Sequence, residues 1–196
     1  MGSSTKRIFV ISAPSGTGKT TVIKCLLDKI PDLALSVSHT TRPMRRNEKD
    51  GRDYYFVTKE VFQKMLTDGE FLEWTEAYGH LYGTSKGEVD RIVALGKDVL
   101  MDLDTSGALN IKKMYPDAVL IFLLPPSFEE LKERIIKRGS EDKEEIEKRL
   151  KGAAAEYERR HEYDYQVVNE DVLEACSEIA EIVEYVRGVE QDGKDK

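Results

Sequence analysis

The chain has 196 residues, a length that suits one compact domain with a small inserted lobe. Its 40% apolar content excludes a disordered chain, and its net charge of −7 excludes non-specific binding to duplex nucleic acid. The longest apolar stretch, Ala118 to Leu124, is far too short to span a bilayer.

No charged-then-apolar segment opens the sequence, so no secretion signal is expected, and Met1 to Ser4 carries no fold information. Ile8-Phe9-Val10-Ile11 reads as a buried strand followed by a Gly-rich turn. From Thr20 the pattern is helical, with Ile23, Leu26, Leu27 and Ile30 on one face and Pro31 ending it. Ser36 to Gly87 breaks the rhythm: it is aromatic-rich, alternates through Tyr54 and Phe56, and holds a short helix at Thr58–Thr67 closed by Gly69. A small strand-containing insertion is expected there. Val99-Leu100-Met101 and Val119 to Leu124 read as further central strands. Ser127 with Glu130 forms a capping box that opens a helix with Phe128, Leu131 and Ile135 inward. Gly139 to Lys151 is charge-dense, with few apolar anchors. Tyr165 to Asn169 is another strand, and a last helix turns Leu173, Ile179, Ile182, Val183 and Val186 inward before a polar tail from Gly188. Alternating strands and helices predict an α/β fold around a parallel sheet. Cys25 and Cys176 lie far apart without metal-ligand spacing, and are expected to be reduced core residues of a cytoplasmic protein.

Ala13-Pro14-Ser15-Gly16-Thr17-Gly18-Lys19-Thr20, with Thr21 behind it, stands between the first strand and the first helix, the context of a phosphate-binding loop. Gly16 and Gly18 let backbone N–H groups turn inward, and the helix N-terminus adds positive potential. Lys19 suits the β- and γ-phosphates, and the Thr20 hydroxyl suits Mg²⁺. Ala13 stands where such loops usually carry their first glycine, which is tolerable at negative φ. The loop predicts a nucleoside triphosphate site. Asp102 and Asp104, at i, i+2 after a strand, fall on one side of the chain where open α/β sheets bind ligands. Asp102 is the candidate partner of Mg²⁺ or its water shell; a solvated carboxylate pair is the alternative.

The insertion carries Ser38, Arg42, Arg45, Glu48, Tyr54, Phe56, Glu73, Tyr82, Gly83 and Thr84. Two arginines three apart beside tyrosine hydroxyls suit a compact dianionic phosphate, because guanidinium forks bind it bidentately and phenols add donors. Read alone, the cluster is equally compatible with a solvated basic face. Arg134 and Arg138, four apart, share a helix face, and Arg149 comes from the next helix, which Asp142 and Glu145 can cap. A self-paired face with Glu144, Glu145 and Glu147 is the alternative there.

Thr40-Thr41-Arg42-Pro43-Met44-Arg45-Arg46-Asn47-Glu48-Lys49-Asp50-Gly51-Arg52-Asp53-Tyr54-Tyr55-Phe56-Val57 resembles the GMP-binding signature of guanylate kinases throughout its length. The similarity continues through Phe71-Leu72-Glu73-Trp74, Tyr82-Gly83-Thr84, Asp102-Leu103-Asp104, Pro125-Pro126-Ser127, Arg138-Gly139, Lys148-Arg149 and Val167-Val168-Asn169. It implies phosphoryl transfer from ATP to GMP, yielding ADP and GDP, with Mg²⁺. The implied architecture is a P-loop NTPase-type parallel five-stranded sheet flanked by helices, with an inserted GMP-binding lobe of mixed sheet and a short helical lid. In this chain the P-loop core would take residues 5–35, 88–138 and 152–188, the GMP-binding insertion 36–87 and the lid 139–151.

The resemblance further implies that Arg42, Arg45, Tyr54 and Tyr82 hold the GMP phosphate, and that Glu73 reads the base with Ser38, Thr84 and Asp104. Gly83, Asp102, Gly107 and Arg149 complete the GMP site. ATP would be held by Ala13 to Thr21, Arg134, Arg138 and Asn169, the last near the adenine. Lys19, Arg42, Arg134, Arg138 and Arg149 are the expected catalytic charges; Thr20 and Asp102 are the metal candidates, directly or through water. Guanine presents N1–H and its 2-amino group side by side, and a carboxylate offers two matching acceptors. Adenine has an acceptor at N1, so such a site can reject it by roughly 10⁴-fold. Thr105-Ser106 departs from the family, where an apolar or aromatic residue then glutamine is frequent before the glycine. Two rivals remain: a non-catalytic guanylate-kinase-like protein-binding module, and a kinase for another base. The expected partners are GMP/GDP and ATP/ADP, not nucleic acid or membrane; no subunit interface is legible, which leaves a homo-oligomer open.

Overall fold

The structure, a computed structural model, describes residues 7–77, 79–138 and 143–193, with the side chains of Arg138, Lys143, Glu145 and 189–193 outside the description. In chain order the elements are β1 (Ile8–Ser12), α1 (Lys19–Lys29), β2 (Leu33–Leu35), β3 (His39–Thr40), β4 (Tyr55–Phe56), α2 (Lys59–Thr67), β5 (Phe71–Ala77) and β6 (His80–Ser85). There follow α3 (Lys86–Ala94), β7 (Asp98–Asp102), α4 (Thr105–Met114), β8 (Val119–Leu124), α5 (Phe128–Arg138), α6 (Lys143–Glu158), β9 (Tyr165–Val168) and α7 (Val172–Gly193). Five strands form a parallel sheet in the order β2-β7-β1-β8-β9, and four form a mixed sheet in the order β4-β3-β6-β5. In the second sheet β3 runs parallel to β4 and antiparallel to β6, which is antiparallel to β5. The α/β class and both sheets agree with expectation. In the parallel sheet the strand that periodicity did not locate is β2, whose three residues are too short to carry a pattern, and in the mixed sheet β3, β5 and β6 were not located one by one; Leu33 and Leu35 are registered on Asp98 and Leu100.

Contacts divide the chain into two compact units, Met1–Ile8 with Asp32–Ala118, and Phe9–Pro31 with Val119–Lys196. In the second unit the strands are near-continuous apolar runs because both faces of a parallel sheet are covered. Phe9, Val10, Ile11 and Leu120 to Leu123 are fully buried. Half of the capping box forms, with Glu130 N donating to Ser127 Oγ at 3.1 Å while the Glu130 carboxylate accepts from Arg134, and Leu131 and Ile135 of α5 pack with Ala153 of α6. α1 buries Val22, Ile23 and Leu26 and packs on α7, which buries Cys176, Ile179 and Val183.

Three expectations are corrected in this unit. Cys25 and Cys176 are not reduced: they are joined as a disulfide, their Cα atoms 6.2 Å apart. Sequence distance says nothing about adjacency, and the α1–α7 contact brings together positions 151 residues apart. The last helix does not end at Gly188 but runs to Gly193. One helical glycine costs only about 1 kcal/mol, too little to break a packed helix with no proline behind it. Leu173 does not face inward; it is 69% exposed in the first turn of α7.

The first unit has its own apolar cluster, Phe62 of α2 with Phe71 and Leu81 of the mixed sheet, packed by Val57, Met65 and Leu66. Thr58 caps α2, Ser85 caps α3 and Asp104 caps α4, each side chain accepting from a backbone N–H three residues on. Among the described residues, no helix is long and apolar enough to cross a membrane.

Candidate active site

The turn after β1 is wound by its own bonds, Thr17 N and Oγ1 both donating to Pro14 O at 3.2 and 2.8 Å. Gly18 has φ +98°, and a Cβ there would lie 2.8 Å from Asn169 Nδ2, so this position needs glycine both for conformation and for space. It leads into α1, whose N-terminus has no side-chain cap, the arrangement in which an anion supplies the missing acceptor. Lys19 is half-buried at the start of α1; Thr20 and Thr21 are exposed beside it. α5 lies against the loop: a Cβ on Gly16 would sit 3.5 Å from Leu131 Cδ1 and 3.9 Å from Arg134 Cβ. The Arg134 guanidinium meets Glu130, one turn back on the same helix, at 3.2 Å. Arg149 is half-buried on α6. Gly139 to Asp142 and the Arg138 side chain lie outside the described residues.

Asn169 has a role that the pattern did not reveal. It is 4% exposed at the end of β9; its backbone N–H donates to Leu124 O at 2.8 Å and its Nδ2 to Thr17 O at 2.7 Å. The amide therefore ties the strand end to the phosphate loop, and Oδ1 has no partner among the described residues.

In the first unit, Arg42 follows β3 and is 12% exposed, which removes the solvated-face reading for it. Glu48 grips its fork bidentately, at 2.7 Å to Nη2 and 3.1 Å to Nη1, and also accepts the Arg45 N–H at 2.8 Å. The guanidinium lies 5.5 Å from the Tyr54 ring centre and 5.7 Å from that of Phe56. Through their shared hydrogen bonds Glu48 makes the Arg42 guanidinium hold its proton more tightly, and Arg42 holds the Glu48 carboxyl below its usual value. Glu48, six residues downstream inside the same signature, was legible as a residue but not as the orienter of Arg42. Arg45 is exposed, and its structural contact is the backbone one. Tyr54 and Tyr82 approach with ring centres 6.0 Å apart. Burial first, and the Asp102 charge second, push the Tyr54 hydroxyl up to about 12, which keeps it a neutral donor.

Glu73 of β5 is 5% exposed, with Oε1 accepting the Thr84 N–H at 3.0 Å. Burial pushes its carboxyl up to about 7, against the pull of Thr84's hydrogen bonds. A Cβ on Gly107 would fall 2.8 Å from Glu73 Oε2, so α4 packs its glycine directly against the carboxyl and a side chain there would push it aside. Asp104 caps α4 by accepting the Gly107 N–H at 2.7 Å, so the Thr105-Ser106 departure leaves that loop anchored. The Ser38 and Thr84 hydroxyls lie 3.1 Å apart. Gly83, across from Trp74 and His39, is packed under Phe71, whose Cδ1 would be 2.9 Å from a Cβ. Ser38, Arg42, Tyr54, Glu73, Tyr82, Thr84, Asp102, Asp104 and Gly107 thus all belong to this one unit. Among the described residues, no group of three or more His, Cys, Asp or Glu could hold a metal ion.

The family model described as guanylate kinase matches residues 5–186. The guanylate kinase of Thermotoga maritima is 45% identical over 190 residues, 97% of this chain and 92% of that protein. That of Nitrosomonas europaea is 47% identical over 180 residues, 92% of this chain and 90% of that protein. The crystal structure of guanylate kinase from Anaplasma phagocytophilum superposes with a TM-score of 0.78 at 36% identity, covering 94% of this chain and 88% of that one. A family model that matches almost the whole chain, and relatives 45% and 47% identical over more than nine-tenths of it, show that the protein belongs to the guanylate kinase family.

Proposed function

We propose that the enzyme transfers the terminal phosphoryl group of ATP to GMP: an oxygen of the GMP phosphate bonds to the γ-phosphorus, the β–γ bridging P–O bond breaks, and ADP leaves with its electrons. The observation that carries the choice of acceptor is Glu73, buried with one oxygen held by Thr84 and the other against Gly107. Two fixed acceptors match guanine's N1–H and 2-amino group and oppose adenine's N1. Arg42, Arg45, Tyr54 and Tyr82 bind the dianionic phosphate, with Glu48 keeping the Arg42 fork aligned. Gly83 packing, the Asp104 cap and the Ser38–Thr84 hydroxyl pair shape the rest of the pocket.

Ala13 to Thr21 bind the ATP phosphates, Lys19 the β- and γ-phosphates, and Asn169 steadies the loop from behind. Arg134, Arg138 and Arg149 offset charge on the transferring oxygens. The acceptor is already an anion, so no side chain need act as nucleophile or base, and catalysis is positioning and electrostatics. Thr20 and Asp102 supply hard oxygen, the donor class that Mg²⁺ prefers alongside water and phosphate. When bound, Mg²⁺ would draw charge from the β- and γ-oxygens. The division into core (5–35, 88–138, 152–188), insertion (36–87) and lid (139–151), and a cytoplasmic site of action, belong to the same proposal; the disulfide removes the cysteines as support for the latter. The test is ADP release from ATP with GMP, dGMP, AMP, CMP, UMP and dTMP. The guanine monophosphates should be consumed far faster than the others; AMP consumed as fast as GMP refutes the assignment.

A further inference from the structure

Beside the acceptor pocket stands a carboxylate that the phosphoryl transfer leaves unused. Glu88 sits in the first turn of α3, its backbone N–H donating to Ser85 Oγ at 3.3 Å. Its side chain is 3% exposed, and four donors converge on it. Oε1 accepts the Val37 N–H at 3.0 Å and Arg91 Nη2 at 2.9 Å; Oε2 accepts Arg91 Nε at 2.9 Å and the Tyr55 hydroxyl at 3.4 Å. Burial by itself would push this carboxyl up, but the Arg91 fork and the Val37 N–H overcome it and hold it below the usual value. A buried charge costs free energy unless its oxygens are satisfied, and the Ser85 cap already starts the helix. The charge is therefore spent on its partners, and those border the pocket. Val37 precedes Ser38, Tyr55 follows Tyr54, and Tyr55 N donates to Ser38 O at 2.9 Å. Ser38 in turn meets Thr84, whose N–H holds Glu73.

We propose that Glu88 is a positioning residue for GMP. It fixes the turn that carries Ser38, and with it the hydroxyl pair that serves the base; through Tyr55 it steadies the strand that presents Tyr54 to the phosphate. It touches no substrate. The inference rests on the acceptor-pocket reading given above.

Glu88→Gln keeps the volume but removes the charge and turns one acceptor into a donor. Steady-state rates are measured with GMP varied at saturating ATP and with ATP varied at saturating GMP, with Ser38→Ala in parallel and melting temperatures recorded. The KM for GMP should rise about tenfold in Glu88→Gln while kcat and the KM for ATP stay within about twofold, and Glu88→Asp should recover part of the loss. An unchanged KM for GMP in Glu88→Gln, where Ser38→Ala raises it, overturns the role of Glu88 and leaves the pocket reading standing. An unchanged KM for GMP in Ser38→Ala overturns the pocket reading and the proposal with it. Losses shared equally by GMP and ATP, or confined to kcat, are general damage and also overturn it. Should Glu88→Gln not fold, Arg91→Ala removes a half-exposed partner: a KM for GMP raised about threefold with ATP unmoved supports the proposal, and an unmoved KM for GMP overturns it.

Discussion

GMP binding should tighten by about tenfold between about pH 6 and about pH 8 because of the Glu73 carboxyl. Burial pushes that carboxyl up to about 7 in the unliganded protein. Guanine brings two N–H donors to it, and only the ionised form accepts both. With a pKa near 7, the ionised fraction is about one-tenth at pH 6 and about nine-tenths at pH 8, and apparent affinity scales with that fraction. The sign follows from the direction of the shift: a raised acid keeps its proton until higher pH, so affinity falls as pH falls through 7. The same shift means that the unliganded fold loses stability as pH rises from the usual carboxylate range through 7, since the native state holds the proton longer than the unfolded chain. The GMP phosphate also gains charge near pH ~6, in the same direction, so the wild-type slope alone is ambiguous. Calorimetric titration of GMP into wild type and Glu73→Gln across this range, at fixed ionic strength, separates the two. The variant retains only the phosphate's contribution, and it should also lose the preference for GMP over AMP. Equal pH slopes in both proteins would refute the role given to Glu73.

Arg42→Ala removes a phosphate contact and leaves the half-buried Glu48 without its partner, so the KM for GMP should rise by about 50-fold, with the KM for ATP unmoved. An unchanged GMP dependence in steady-state rates rejects that assignment. Lys19→Ala should instead cut turnover by about 10³-fold, read at saturating concentrations of both nucleotides. The Cys25–Cys176 link closes a loop 151 residues long, so cutting it with a dithiol reductant, or by Cys25→Ser, should cost about 5 kcal/mol and lower the melting temperature by about 12 °C. A melting curve indifferent to reductant would exclude the linkage in solution.

Much of the site was readable along the chain because its chemistry is local. The phosphate-loop motif needs a strand, two glycines, a lysine and a helix start in succession, and the consecutive residues Ile8 to Thr21 spell these out. Glu73 could be proposed as the base reader from its motif, but its raised proton affinity depends on burial in the mixed sheet. Arg42 and Arg45 look alike in sequence; the fold buries the first on Glu48 and leaves the second at the surface.

The strands β1, β7, β8 and β9 and the helices α1, α2, α5, α6 and α7 followed from periodicity and from residues that open or close helices, interactions reaching only three or four residues, whereas β2, β3, β5, β6, α3 and α4 did not. Nor did partnerships across large separations. Cys25 with Cys176, Asn169 with the Thr17 carbonyl and Glu88 with Val37 exist because packing of apolar faces brings distant segments together, and no local pattern encodes which polar groups then coincide. Once such groups are buried, the cost of leaving them unsatisfied decides their bonds, and that cost is set by the folded chain as a whole.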